Sequence, residues 1–193
     1  MPYDYADTTQ TLDVLFEDGE LLELRIIHKP GFGGVKNLFF TDKTKMLNAV
    51  RKYDADTTVG GIYTVFNKIN PARVSSPTRS PGTTKEDIIR RTKLTFDFDA
   101  IRAPGTPALS SSTDGEKAET IIRAGNCVEW LSHNGITQHP LWGDSGNGTH
   151  VVYKIDLPND QESYDLISAV YDCLNAQGFD VDVTMKDAPR ICK

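Results

Sequence analysis

The sequence predicts an α+β protein, a small N-terminal α/β module followed by a unit of order β-α-β-β-α-β. Three observations carry this expectation. Leu94-Thr95-Phe96-Asp97-Phe98-Asp99 alternates apolar and polar residues with period two, the pattern of a half-buried strand. Two stretches, 115–133 and 161–177, carry apolar residues at helical spacing and are followed by glycines, Gly135 and Gly178, suited to stop a helix. Alternating runs at 149–156 and 179–184 supply further strands.

The elements follow in order. Residues 1–70 form the N-terminal module, with strands at 12–16 and 21–27 around the turn Glu17-Asp18-Gly19. A helix at 42–53 places Met46, Leu47, Val50 and Tyr53 on one face, and a strand covers 61–69. Residues 71–92 are a linker; its 71–84 part is rich in Pro, Ser, Thr and Gly, and carries Arg73 and Arg79. The second unit, 93–193, opens with a strand at 93–99 and a Pro/Gly/Ser-rich loop at 104–113. Thr113 and Glu116 fit a capping box for the helix at 115–133, whose buried face would be Ile121, Ile122, Val128 and Leu131. A short strand at 138–142 and a longer one at 149–156 come next. The helix at 161–177 turns Ile167, Val170, Tyr171 and Leu174 inward, and a strand at 179–184 closes the unit. This order is that of the split βαβ, the ferredoxin-like or RRM-like unit. There the first strand is central, so 93–99 would lie between 149–156 and 179–184, with helices covering one face and the polar residues of all three stretches, Asp97 and Asp99, His150, and Asp182 among them, meeting on the other.

The chain has 193 residues and a formal net charge of -6, which argues against a protein whose main task is coating nucleic acid. No apolar run approaches a membrane span, and the acidic N-terminus lacks the regions of a signal peptide. Cys127, Cys173 and Cys192 have no metal-like or redox spacing; Cys127 and Cys173 fall in amphipathic helices and read as buried thiols of a reducing cytoplasm.

The chemistry is concentrated in three stretches. Asp97 and Asp99, at i and i+2, stand roughly 6.5–7 Å apart along a strand and can converge on divalent ions about 3.5–4 Å apart. Like charges side by side without a cation are unfavourable, and carboxylate oxygens suit Mg²⁺ or Mn²⁺. A solvated edge strand is the bland alternative, weakened by the flanking Phe96 and Phe98. In Ser145-Gly146-Asn147-Gly148-Thr149-His150, glycines let backbone N–H groups approach an anion, while Ser145 and His150 offer donors, a set that fits a triphosphate. A hairpin turn followed by a satisfied histidine fits equally. His150 and Lys154 share a strand face opposite Val151, Tyr153 and Ile155. Asp180 and Asp182 share a face with Thr184, and alternation permits either as a third ligand. Arg190 and Lys193 could reach phosphate or be ordinary surface charges. His28, His133 and His139 lack ligand spacing, and there is no Walker A loop, HExxH, paired CxxC or nucleophile elbow.

Taken in order, these stretches resemble the motifs of the archaeo-eukaryotic primase superfamily, in the primase-polymerase form found in phages, plasmids and integrated elements. Phe96-Asp97-Phe98-Asp99 is similar to its Asp-x-Asp motif, and Ser145 to His150 to the "SGNGxH" form of its Ser-x-His-type motif. Val181-Asp182-Val183-Thr184, followed by Ala188-Pro189-Arg190-Ile191, resembles the third motif, a metal-binding aspartate ahead of an Ala-Arg-Ile-like segment. That alignment selects Asp182 over Asp180. Gly61-Ile62-Tyr63, Asn67 to Pro71, Ile88-Ile89-Arg90-Arg91 and Asp156-Leu157-Pro158 extend the resemblance over residues 60–193, with a looser likeness before them. Family members continue past the third motif into a Leu-x-Gly-Thr-like segment, whereas this sequence stops at Ile191-Cys192-Lys193, so the expectation is either a fragment of a longer catalytic domain or a natural short form.

The resemblance implies a DNA primase or primase-polymerase, a template-dependent nucleotidyltransferase of phage or mobile-element replication in the host cytoplasm. Asp97, Asp99 and Asp182 would hold two Mg²⁺ or Mn²⁺ ions. Ser145, Gly146, Asn147, Gly148, His150 and Arg190 would bind the incoming NTP or dNTP. Single-stranded DNA template and primer would be partners, with a replicative helicase fused or separate, and no membrane. The arginine-containing stretch 71–91 is the candidate for template phosphates. The competing expectations are another ferredoxin-like metal enzyme such as a nucleotidyl cyclase, a catalytically impaired primase-like domain that binds DNA, and an RNA-recognition-like module. The last is disfavoured because its sheet face would carry Asp97 and Asp99 where such modules carry stacking aromatics.

Overall fold

A computed structural model describes residues 5–73, 81–106 and 110–193. In chain order the elements are α1 (Tyr5–Leu15), β1 (Leu22–His28), β2 (Val35–Phe40), α2 (Lys43–Asp54), β3 (Val59–Val65), β4 (Lys68–Ile69), β5 (Ile88–Asp99), α3 (Asp114–His133), β6 (Leu141–Asp144), β7 (Gly148–Pro158), α4 (Gln161–Ala176) and β8 (Ile191–Cys192). Short 3-10 turns stand at Pro71–Arg73, Lys85–Asp87 and Val183–Lys186. The chain is α+β, and it divides into two compact units, Met1–Arg90 with Ile191–Lys193, and Arg91–Arg190. Among the described residues no helix is long and apolar enough to cross a membrane.

The first unit is built on the sheet β2-β1-β3-β8. The strand expected at 12–16 is instead the end of α1. Leu12, Leu15 and Phe16 are buried at positions i, i+3 and i+4, a helical stripe that a five-residue window reads as alternation. Strand β1 lies close to its expected bounds. Its neighbour β2 was not expected, although Gly31, Gly33 and Gly34, all at positive φ, form the connection that lets it pair from Leu22↔Phe40 to Ile27↔Val35. Helix α2 buries the four residues expected of it, and the Asp42 side chain accepts from the Lys45 N–H as its cap. The strand expected at 61–69 is two, β3 and β4, and β8 returns to pair with β3 at Thr64↔Cys192.

The loop after β4 is tied to this unit by charge. Glu23, fully buried, takes Arg25 at 2.7 Å and the Thr83 N–H at 2.7 Å. Arg73 reaches Asp87 at 2.7 Å, donates to the Pro81 and Gly82 carbonyls at 2.6 and 2.9 Å, and lies over the Phe39 ring.

In the second unit β5 runs beside β7, and β7 beside β6. Strand β5 begins earlier than expected; its first residues, Ile88 and Arg90, pair with β4 within the first unit. Phe96 and Phe98 are buried, and Phe96 meets the rings of Tyr153 and Tyr171 edge-on at 5.9 and 5.5 Å. The Tyr171 hydroxyl donates to the Thr95 carbonyl. Helix α3 has the expected capping box, but its buried face is Thr120, Ala124, Cys127 and Leu131, with Ile121 and Ile122 exposed. The face is turned because the small residues allow close approach and the Thr120 and Thr149 hydroxyls bond at 2.8 Å. Burial pushes the Cys127 thiol up to about 12, whereas Cys173 is exposed, contrary to expectation. Helix α4 buries Ile167, Tyr171 and Leu174.

The strand expected at 179–184 does not form. Gly178 and Asp180 take left-handed backbone conformations (φ 84° and 55°), and Asp182 caps the 3-10 turn Val183–Lys186 by accepting from Thr184. This arm nevertheless runs beside β5, because the Asp182 N–H donates to the Asp97 carbonyl at 3.0 Å. At its other end Arg91, fully buried, donates to the Lys186 carbonyl at 2.8 Å and to Asn159 at 3.1 Å.

A candidate metal centre on the second unit

The second unit brings Asp97, Asp99 and Asp182 together. One carboxylate oxygen of each lies within 4.8 Å of the others. Alternation along β5 puts Phe96 and Phe98 into the core and leaves Asp97 and Asp99 on the opposite face. The arm supplies Asp182, whose Oδ1 accepts the Thr184 N–H at 2.9 Å and whose Oδ2 accepts the Thr184 hydroxyl at 2.7 Å. An ionised carboxylate offers about four acceptor sites, so Asp182 keeps lone pairs for a cation.

The donor set fits a divalent ion. Asp97 Oδ1 is buried with no hydrogen-bond partner among the described residues, an orphan acceptor beside two other carboxylates. A buried acceptor without a donor is costly unless something electropositive meets it. Three hard oxygens suit Mg²⁺ or Mn²⁺ chemistry rather than that of a soft metal.

The other expected residues are distributed unevenly. His150 is buried on β7 with Nε2 3.4 Å from Asp97 Oδ2. Ser145, Gly146 and Asn147 form the hairpin turn between β6 and β7. The Ser145 N–H donates to the Gly148 carbonyl at 3.2 Å and the Gly146 N–H to Asp144 at 2.7 Å. Asn147 accepts from Ser112 through both its backbone carbonyl and its side chain. Gly148 serves close packing: a Cβ there would lie 2.3 Å from the Phe98 carbonyl oxygen. Arg190 Nη2 stands 3.6 Å from Asp182 Oδ2, while Lys154 is exposed. Asp180 is not in the triad; it is a turn residue, 3.7 Å from Arg123.

Two arginines of the stretch 71–91 are turned inward. Arg73 is tied to Asp87 and the loop carbonyls, and Arg91 is buried in the second unit, while Arg79 lies outside the described residues. Sequence reasoning missed Arg102, whose charge opposes the upward push on Asp99, and Arg123, which donates to the Asp99 carbonyl. Nothing in the spacing marks them, since both act across the end of β5. The Asp182-x-Thr184 pair did carry a signal, because it is a side-chain cap that starts a turn rather than a strand.

The centre has a pH signature. Desolvation, then the Asp97 and Asp182 carboxylates, push the Asp99 carboxyl above the ordinary aspartate range, against weaker pulls from His150 and Arg102. The metal-free folded state thus binds this proton more tightly than the unfolded chain. Stability from this group is present at low pH and lost as pH rises through the raised value. Metal needs the ionised form, so Mn²⁺ affinity is expected to fall on acidification already above the ordinary aspartate pKa of about 3.9. Mn²⁺ titrations at stepped pH check this.

Comparison of the chain with protein-family models, with curated proteins and with solved structures returned no match, so the functional reading rests on the geometry of this centre and on the sequence motifs.

Proposed function

We propose that the chain is a metal-dependent nucleotidyltransferase of the primase-polymerase type, joining NTPs or dNTPs on a single-stranded DNA template. The observation that carries this reading is the convergence of Asp97, Asp99 and Asp182, from stretches far apart in sequence, with His150 against Asp97. The order β5, α3, β6, β7, α4, with β7 beside β5 and the Asp182 arm attached to β5, supports the ferredoxin-like reading of the second unit. The motif resemblance supports the reaction class.

Asp97, Asp99 and Asp182 would hold Mg²⁺ or Mn²⁺, which supplies a more acidic attacking hydroxyl and charge stabilisation of the triphosphate. Arg190, beside Asp182, is placed on this reading to meet phosphate oxygens, and Arg102 adds positive potential near Asp99. His150, with Nε2 3.4 Å from Asp97 Oδ2, would on this reading donate to a triphosphate oxygen. Primer strand, template and a replicative helicase are the partners proposed with this activity.

The test is synthesis on primed and unprimed single-stranded templates, with each nucleotide set and with Mg²⁺ or Mn²⁺. Asp182→Ala is expected to lower synthesis by roughly a hundredfold, through loss of charge stabilisation worth about 3 kcal/mol. Asp180→Ala should change it less than about twofold. Template-independent cyclisation of a nucleoside triphosphate, or equal loss in both variants, would overturn the proposal.

A further inference from the structure

The third carboxylate stands on an arm that lacks a strand ladder, and the structure contains a substitute for it. The Val181 N–H donates to the Asn175 side-chain oxygen at 2.8 Å, and the Asn175 amide donates to the Val181 carbonyl at 3.1 Å. One carboxamide thus satisfies both backbone groups of the residue preceding Asp182, as a neighbouring strand would. Asn175 sits in the last turn of α4, whose core-facing neighbours Tyr171 and Leu174 are buried, so it is anchored on a rigid element. Between Asn175 and Val181 the chain reverses through Gly178 and Asp180 in left-handed conformations.

We infer that Asn175 is a positioning residue for the metal ligand Asp182, an inference that rests on Asp97, Asp99 and Asp182 forming a divalent-cation site. Among the described residues the arm's other backbone ties include the Phe179 N–H on the Leu174 carbonyl, the Asp182 N–H on the Asp97 carbonyl and Arg91 on the Lys186 carbonyl. Each holds one backbone group. Asn175 grips two, immediately beside the ligand, and fixes the direction in which the Asp182 side chain leaves the arm. Without that grip the arm samples arrangements in which Asp182 does not face Asp97 and Asp99. Apparent metal affinity then falls by the fraction of molecules that remain competent.

The experiment titrates the full chain with Mn²⁺ alone and follows amide exchange at Val181. Asn175→Ala is expected to weaken Mn²⁺ binding about tenfold, the effect of losing two neutral hydrogen bonds that order the arm, and to speed exchange at Val181. Asn175→Asp keeps an acceptor for the Val181 N–H but offers no donor to its carbonyl, so an intermediate loss is expected, and it stands in if the alanine variant does not fold. Ile167→Val removes a buried methylene from the same helix and touches neither bond; it should lower stability and leave Mn²⁺ affinity unchanged. Wild-type affinity in folded Asn175→Ala or Asn175→Asp overturns the inference while leaving the metal centre intact. Equal weakening in Ile167→Val also overturns it, since the effect would then be general destabilisation. Failure of the wild type to bind Mn²⁺, or binding unaffected by Asp182→Ala, overturns the metal centre itself and the inference with it.

Discussion

Replacing Asp97 and Asp99 together by asparagine is expected to abolish Mn²⁺ binding and the proposed nucleotidyl transfer, and to leave the metal-free protein at least as stable as the wild type. The two effects have one cause. In the absence of a cation the carboxylates oppose one another: desolvation and then Asp97 and Asp182 raise the Asp99 carboxyl, and Asp97 Oδ1 is buried without a donor. Asparagine keeps the shape, removes the repulsion and brings an N–H donor to position 97, where one carboxylate oxygen is buried without one. For the reaction, the pair's loss removes several kcal/mol of charge stabilisation, roughly a thousandfold or more in rate. Thermal melts with and without Mn²⁺, beside a primer-extension assay, check both halves. Synthesis within tenfold of wild type by a folded double variant would overturn the assignment, and a marked fall in the metal-free Tm would overturn the account of the repulsion.

Gly148→Ala should be among the most damaging single-methyl additions in the second unit. A Cβ at Gly148 would stand 2.3 Å from the Phe98 carbonyl oxygen and 3.2 Å from the Asp99 Cα. These are backbone atoms of the neighbouring strand, which cannot swing aside as a side chain can. Strand β7 would have to move off β5 next to His150 and Asp97. Overpacking of this kind costs about 2–3 kcal/mol, of order 10 °C in Tm for a unit this size. Gly146→Ala is a useful contrast, because its cost is conformational, about 1 kcal/mol for a side chain at φ 89° in an exposed turn. A Gly148→Ala protein that melts like wild type and keeps its Mn²⁺ affinity would show that the two strands have room to adjust.

The contrast bears on what the sequence could tell. A glycine-containing turn before a histidine reads as an anion cradle or as a hairpin, and the residues alone do not distinguish them. In the structure Gly146 makes the turn, Gly148 allows two strands to touch, and both turn N–H groups at Ser145 and Gly146 are engaged within the hairpin. The Asp97/Asp99 strand was legible because its alternation is strict and its partners Tyr153 and Tyr171 complete a core that period two already points to. Helix α2 and the capping box of α3 were legible for the same reason, since local chemistry and burial agree. The arm around Asp182 was not. Phe179 to Thr184 alternates like a strand, but two left-handed residues and the Asp182–Thr184 cap override the pattern. Helix α1 was misread because Leu12, Val14 and Phe16 alternate over a short window, whereas the buried set is Leu12, Leu15 and Phe16.

The pairing of β8 with β3 has a kinetic consequence. The first unit is assembled from two stretches of chain, and the whole of Arg91–Arg190 lies between them. If that intervening chain were unfolded, bringing Ile191 and Cys192 back to Thr64 and Val65 would close a loop of roughly 125 residues, an entropic cost of about 4 kcal/mol from the logarithmic term alone. Once the intervening unit has folded, its ends are fixed and most of that cost is gone. Prior folding of the inserted unit would lower that cost, so the β3–β8 rung is expected to be the last of the first unit's hydrogen bonds to gain protection, which pulsed amide exchange during refolding would check.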